Sequence, residues 1–144
     1  VWYTAARAAP WIVEAFAHIC EHEHAGIGVV TCTTTNRYGG DGGIANKEFN
    51  TKDGISQVKA LVRADEYARW TDFHKKDINS LSAKDLATGW SMMRWMFDHH
   101  RAKMLVLLDE IAKGTTEADA FKKAFGKGPS EVQLEWAAYV KKAY

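Results

Sequence analysis

The chain has 144 residues, of which 47% are hydrophobic and 26% charged, a composition typical of a single globular domain rather than of a disordered chain. Nineteen basic and 18 acidic side chains leave a formal charge of +1, so the sequence offers no electrostatic footprint for nucleic acid or an anionic membrane. No apolar run approaches the roughly 20 residues of a membrane span, and no signal peptide is visible. We therefore expect a soluble protein, and the sequence leaves its compartment and any export undecided.

The first predicted element is a helix from residue 10 to about residue 24. Pro10 suits the first turn of a helix. The predicted apolar stripe of this helix consists of Ile12, Phe16, Ile19 and Cys20. Glu14, His18 and His22 recur at intervals of four residues and therefore share a neighbouring face of the same helix.

The helical period then disappears between residues 26 and 54. Residues 28–35 are rich in β-branched side chains and predict a strand, and residues 38–43 (YGGDGG) predict a plain surface loop. One short helix follows, with a stripe of Ile55, Val58 and Val62. The next stretch shows no clear period and contains Tyr67, Trp70 and Phe73.

Residues 82–144 predict four helices with clear start and stop signals. Ser82 and Asp85 have the spacing of a capping box, and the stripe after them is Leu86, Trp90, Met93 and Phe97. The second helix carries Met104, Leu108 and Ile111 and stops near Gly114; the third opens at Thr116, carries Phe121 and Phe125, and stops at Gly126. Ser130 is predicted to cap the last helix, whose stripe is Val132, Trp136 and Val140.

These elements predict a mainly α fold, a helical bundle with a short extended and glycine-rich insertion, forming a single helical domain over residues 1–144. Trp90, Trp95 and Trp136 fall within helical stripes and are expected in the core. His99 and His100 are expected to complement the end of a helix. Two cysteines, Cys20 and Cys32, permit at most one disulfide, and their pairing is left open.

Potential metal ligands are concentrated in the first helix, which carries Glu14, His18, Glu21, His22 and His24. Two histidines one turn apart can both reach a zinc ion, so Glu14, His18 and His22 form a candidate local zinc site. Residues 18–22 (HICEH) also match the inverted zinc motif H-x-x-E-H, in which Glu21 would be the general base. The alternative is a solvated polar helix face.

Residues 10–17 (PWIVEAFA) resemble the P-x-W-x-x-E-G-x-A helix of gluzincins, in the broad peptidase MA-like group of zinc metallopeptidases. In that family this helix follows the H-E-x-x-H helix and its Glu is the third zinc ligand, so the resemblance implies that role for Glu14. The chain departs from the pattern at two positions: Trp11 directly follows Pro10, and Ala15 replaces the family glycine.

The C-terminal helices are similar to those of the same family in order and spacing. Residues 86–97 (LATGWSMMRWMF) and 101–114 (RAKMLVLLDEIAKG) resemble two successive family helices. Residues 120–126 match the A-F-x-x-A-F-G pattern, and residues 134–140 loosely match the closing L-E-x-x-W-x-x-Y-V. The similarity spans most of the chain, although residues 25–80 match only in general character. It implies the C-terminal lobe of a larger metallopeptidase-like domain.

The motif required for gluzincin activity, H-E-x-x-H, occurs nowhere in the 144 residues. Only nine residues precede Pro10, too few for that helix, so we expect it either upstream or lost in a degenerate relative. The family often has a Tyr where this chain has Leu86. An oxyanion donor would then come from Tyr67, His74 or His99, and the sequence assigns no catalytic residue.

The sequence thus leaves three functional hypotheses. In the first, the chain is the lobe of a zinc-dependent metallopeptidase that contributes Glu14 and a cleft wall, is inactive alone, and has a peptide or protein substrate. In the second, it is a non-catalytic pseudo-peptidase or a helical protein-binding module. The third is the local zinc site of Glu14, His18 and His22. An isolated lobe is expected to bind an upstream lobe or to self-associate, and no nucleic-acid or membrane partner is expected.

Overall fold

The computed structural model describes residues 8–25 and 54–143, and helices account for 79% of them, which confirms the mainly α class. The seven α-helices of these two segments are α1 Pro10–Ala25, α2 Gly54–Arg63, α3 Trp70–Phe73, α4 Ala83–His99, α5 Arg101–Ala112, α6 Glu117–Phe125 and α7 Pro129–Ala143; a 3-10 turn, Ile78–Ser80, precedes α4. The strand predicted for residues 28–35, the loop at 38–43 and Cys32 lie outside the described residues. Within the described segments, every helix is too short or too polar to cross a membrane.

Helix α4 is the central element of the bundle. It contacts α1, α2, α5 and α7, and every residue from 85 to 93 is buried. Its start is the predicted capping box: Asp85 N–H donates to Ser82 Oγ (3.2 Å), and Ser82 N–H donates to Asp85 Oδ2 (2.8 Å). Lys76 Nζ also donates to Asp85 Oδ2 (2.6 Å), so the carboxylate is partnered although it is buried.

Helix α1 packs closely against α4 because α4 has a glycine at the contact. A Cβ atom at Gly89 would lie only 3.2 Å from Cε3 of the Trp11 ring. The buried face of α1 contains Trp11, Ala15 and Ile19, whereas Cys20, which was predicted in the apolar stripe, is an exposed thiol. The predicted stripe is therefore wrong at Cys20. Helix α4 packs against the side of α1 that carries Trp11, and Cys20 lies on the opposite side.

The stretch after α2 is held by side chains that are distant in sequence. Gln133 of α7 accepts a hydrogen bond from the Trp70 N–H (2.9 Å) and donates one to the Ala68 carbonyl (2.9 Å). Thr88 of α4 accepts one from the Ala68 N–H (3.1 Å). The backbone at residues 68–70 thus obtains the partners that a buried loop requires. This explains how a segment without sequence periodicity is ordered between α4 and α7.

The predicted helix ends are confirmed for α5 and α6. Gly114 (φ 90°) and Gly126 (φ 73°) follow these helices in the left-handed region that favours glycine. Thr116 caps the start of α6 by accepting from the Asp119 N–H (3.3 Å). Glycine stops and N-cap residues could be predicted because each depends only on residues within about one helical turn.

The predicted cap of α7 was wrong. The helix begins at Pro129, one residue before Ser130. Proline at the first position loses no helical hydrogen bond, because that N–H has no intrahelical acceptor. The Gly128 N–H instead donates to the Glu131 carboxylate (2.8 Å), which reaches back across the first turn. Ser130 lies inside the helix and is exposed.

The three tryptophans predicted for the core are buried: Trp90 is 2%, Trp95 5% and Trp136 0% exposed. At the end of α4, the His99 Nε2 and the Tyr139 hydroxyl are 2.9 Å apart, and His100 packs edge-on against Trp95. Burial, with the Coulombic effect of Lys103 second, lowers the pKa of His100. His99 lies in the last turn of α4 and also joins that end of the helix to α7.

Candidate functional site

Two of the polar side chains predicted to share a face of α1, Glu14 and His18, lie on the buried side of that helix. Glu14 is only 8% exposed and His18 only 3% exposed, whereas Glu21 and His24 are exposed. Positions 11, 14, 15, 18 and 19 form one continuous face at the spacing of a helix, and α4 approaches that face. For Glu14 and His18, the interpretation as a solvated polar face is therefore wrong.

Glu14 and His18 point toward one another from successive turns. Glu14 Oε2 lies 3.9 Å from His18 Nε2, too far for a hydrogen bond. On the other side of the imidazole, Nδ1–H donates to Glu21 Oε2 at 3.0 Å. A histidine that binds metal usually donates its second ring N–H to a carboxylate in this way, which fixes the tautomer. Glu21 therefore directs His18 so that Nε2 is the nitrogen near Glu14.

The spacing of these two atoms suits a shared cation of the zinc type. Ligand atoms at about 2.0–2.2 Å from a tetrahedral ion are roughly 3.3–3.6 Å apart. The observed 3.9 Å is a few tenths of an ångström wider, a difference that side-chain rotation can remove. Carboxylate and imidazole are both common zinc ligands. The pair would supply two ligands of a zinc ion only after such a rotation.

The third predicted ligand, His22, lies in a different contact. Its ring is half-buried and packs edge-on against Trp90, with the ring centroids 6.5 Å apart. In residues 8–25 and 54–143, no three His, Cys, Asp or Glu side chains are grouped so that they could hold a metal ion. Further ligands would have to come from outside these residues.

Contacts at both ends hold α1, and therefore Glu14, in place. Near the start, the Trp11 indole N–H donates to Glu117 Oε1 of α6 (3.1 Å). Near the end, Arg94 of α4 pairs with Glu23 (2.6 Å) and also with Asp98 (2.8 Å). Only the Arg94–Glu23 pair joins α1 to α4; it is partly exposed and contributes little, whereas Asp98 lies on α4 and orients Arg94. The indole contact and the packing of Trp11 at Gly89 hold the helix on the bundle.

The structure places the three candidate oxyanion donors in separate contacts. Tyr67 is buried against Trp136, with the Arg69 guanidinium 4.1 Å from its ring centroid. His74 stacks on Trp70 and donates from Nδ1 to the Trp70 carbonyl (2.9 Å). His99 is paired with Tyr139. These observed contacts are structural, and they assign none of the three a catalytic role.

A groove of about 400 Å³ lies between α2 and the start of α4. It is lined by Gln57, Ala60, Leu61, Ala83, Lys84 and Ala87. None of the predicted ligands lines it, so this groove is not a cleft over Glu14.

Sequence reasoning did not identify Glu117 as an unusual acid. It is the first residue of α6, where an acidic side chain is ordinary. Burial, which outweighs two hydrogen bonds from tryptophan indoles, raises the pKa of this carboxyl to about 7. No local pattern signals this, because the two tryptophans are 106 and 47 residues away in the chain.

Comparisons of the chain with known proteins give no match to a family model, to a curated protein or to a solved structure.

Proposed function

We propose that the chain is the helical C-terminal lobe of a gluzincin-type zinc peptidase, in which Glu14 is a zinc ligand and α1 and α4 form part of a cleft wall. The motif resemblance over residues 10–17 and 86–140 supports this proposal. In it, the two ligand histidines and the general base belong to an H-E-x-x-H helix outside the 144 residues. The lobe alone is then inactive.

The observation that carries the proposal is the burial of Glu14. A carboxylate on the packed face of a helix is costly unless a cation or hydrogen-bond donors satisfy it. Here the carboxylate is withdrawn from solvent, and an imidazole oriented by a second carboxylate lies 3.9 Å from it. A solvent-facing Glu14 would have removed the basis for a ligand at this position.

When bound, zinc would lower the pKa of a water molecule and polarise a peptide carbonyl. The residues of this chain would bind and orient. Glu14 would hold the metal through its carboxylate, and the backbone of α1, fixed through Trp11 and Glu23, would set the position of that carboxylate. His18 would support Glu14 or be a ligand itself, with Glu21 fixing its tautomer.

The first test measures zinc in the protein made from the full coding sequence. We expect about one zinc per chain after dialysis and hydrolysis of a mixed fluorogenic peptide library. The 144-residue chain assayed in parallel is expected to hydrolyse nothing. If the coding sequence contains no H-E-x-x-H, or if the full product holds no zinc and cleaves no peptide, the peptidase assignment is overturned.

A non-catalytic helical module is the second candidate, and two observations favour it. The 144 residues contain no H-E-x-x-H, and Leu86 stands where the family often has a tyrosine. A pseudo-peptidase of this kind would keep the helical lobe for binding another protein. The same zinc and hydrolysis measurements separate the candidates, because the module requires neither result.

An isolated lobe is also expected to self-associate through exposed apolar side chains. Leu105 and Val106 of α5 are 58% and 45% exposed, and Leu134 of α7 is 60% exposed. Large exposed apolar side chains of this kind are typical of contact surfaces when they are clustered. We expect sedimentation velocity of the 144-residue chain to show an average mass that rises with protein concentration. A single monomeric species at high concentration would contradict the lobe interpretation.

A further inference from the structure

The outward face of α5 is apolar at its centre. Of the described residues, five large apolar side chains are exposed, and only Leu105 and Val106 lie on the same helix. Ala102, one turn earlier, is exposed on the same side, whereas Met104 and Leu107 are buried on the opposite side. Helix α5 therefore presents one apolar surface to the bundle and a second one to solvent.

Charges of opposite sign flank this apolar centre along the helix. Arg101, the first residue of α5, is exposed; in the described bundle it forms no ion pair, and its guanidinium lies 4.5 Å from the centroid of the Phe97 ring. Asp109, two turns later, is exposed and pairs with Lys113 directly after the helix (2.5 Å). The two charges are about 12 Å apart along the helix axis. Leu105 is midway between them.

A second copy of α5 matches this pattern in one orientation. Two identical helices related by a twofold axis at right angles to both run antiparallel, and each contact across the axis occurs twice. With the axis near Leu105, the apolar centres of the two copies meet, and Arg101 of each copy faces Asp109 of the other. In a parallel pair, arginine would lie against arginine and aspartate against aspartate, which is unfavourable.

We infer that the outward face of α5 is a self-complementary interface through which two copies of the chain associate, with their α5 helices antiparallel. This interface is a specific surface for the self-association expected of an isolated lobe, so it rests on that part of the proposed function and not on zinc.

The association is weak. One face of a 12-residue helix offers less than the roughly 800 Å² that each partner of a standard complex buries. The Arg101–Asp109 pairs lie at the exposed rim, where each contributes little. We therefore expect an equilibrium between monomer and dimer that shifts with protein concentration, rather than a permanent dimer.

The first test places a charge at the centre of the interface. In the 144-residue chain, Leu105→Lys sets two like charges against one another at the twofold axis, so the dissociation constant should rise at least about 10-fold. Sedimentation velocity over a concentration series measures it. Leu134→Lys is the matched control, because it places the same charge on an equally exposed leucine of α7, and it should leave the dissociation constant unchanged.

The second test exchanges the two charges. Arg101→Glu and Asp109→Lys, each alone, create two like-charged pairs in the dimer, so each should raise the dissociation constant roughly 5–10-fold. The double variant restores opposite charges and should return to near the wild-type value. An equimolar mixture of the two single variants should also associate like the wild type, because both pairs are attractive in the mixed dimer.

These charge substitutions should leave the fold intact. An acidic residue at the start of a helix and a basic residue near its end both suit the helix dipole. Circular dichroism and urea unfolding of every variant check that the fold is retained.

The outcomes separate this interface from the peptidase assignment. Association that survives Leu105→Lys, or charge variants that neither the double substitution nor mixing rescues, overturns the α5 interface and leaves the zinc assignment standing. A wild-type chain that is monomeric at every concentration also overturns the interface. Absence of zinc from the full-length protein overturns the peptidase assignment, and rescue by the double variant would still support the α5 interface.

Discussion

Replacing Trp136 with alanine is expected to lower the free energy of unfolding by about 3–5 kcal/mol. Trp136 is fully buried, its ring meets Tyr67 edge-on at 5.4 Å, and its indole N–H donates to Ser91 Oγ (3.1 Å). Truncation removes this packing, leaves a cavity between α4 and α7, and deprives the buried Ser91 hydroxyl of a donor. Urea unfolding followed by circular dichroism measures the change.

Two variants make that result specific to the core. Ser130→Ala lies on the same helix at an exposed side chain, and its effect should stay within about 0.5 kcal/mol. Trp136→Phe keeps most of the ring and loses the hydrogen bond, so an intermediate loss is expected. A loss below about 1 kcal/mol for Trp136→Ala would mean that the site collapses around the cavity or is less buried than described.

Glu14→Ala is expected to abolish peptide hydrolysis by the full-length protein and to weaken its zinc affinity by more than about 100-fold, the upper end of the loss seen for groups that only support a ligand. The reason is that a zinc peptidase has three protein ligands, and the proposal makes Glu14 one of them. Zinc affinity is measured by competition with a chelator of known strength, and hydrolysis with the peptide library.

The fold provides a control for this second experiment. Glu135→Gln changes an exposed carboxylate of α7 that pairs with Lys127, and it should leave zinc binding near the wild-type value because the proposal gives Glu135 no part in holding or positioning Glu14. Glu14→Ala should also remain folded, because it removes a buried carboxylate from an apolar face. Unchanged zinc stoichiometry in a folded Glu14→Ala protein would refute the ligand assignment and leave the helical architecture untouched.

The residues of the candidate site could be predicted from the sequence, but their burial and their contacts could not. The spacing of Glu14, His18 and His22 places them on one side of a helix, and this followed from the sequence. Whether that side faces water or protein did not follow, because a helix with polar and apolar residues around most of its circumference can pack in more than one orientation. The structure buries Glu14 and His18, leaves Glu21 exposed as the partner of His18, and turns His22 toward Trp90.

The sequence by itself determined the features that depend on residues within one helical turn. These are the capping box of Ser82 and Asp85, the Thr116 cap, and the glycines that end α5 and α6. These signals are local, since each cap joins atoms three or four residues apart. Ser130 shows the limit, because Pro129 and Glu131 offered an equally local start one residue earlier.

Only the tertiary structure decided which partners the long-range polar groups find. Gln133 supplies the hydrogen bonds of residues 68 to 70, and Glu117 receives indoles from two other helices. The physical reason is that a helix positions its own backbone atoms, whereas the depth of a side chain depends on which helix covers it. The pKa of Glu117 and the burial of Glu14 are consequences of that covering, which no short stretch of sequence specifies.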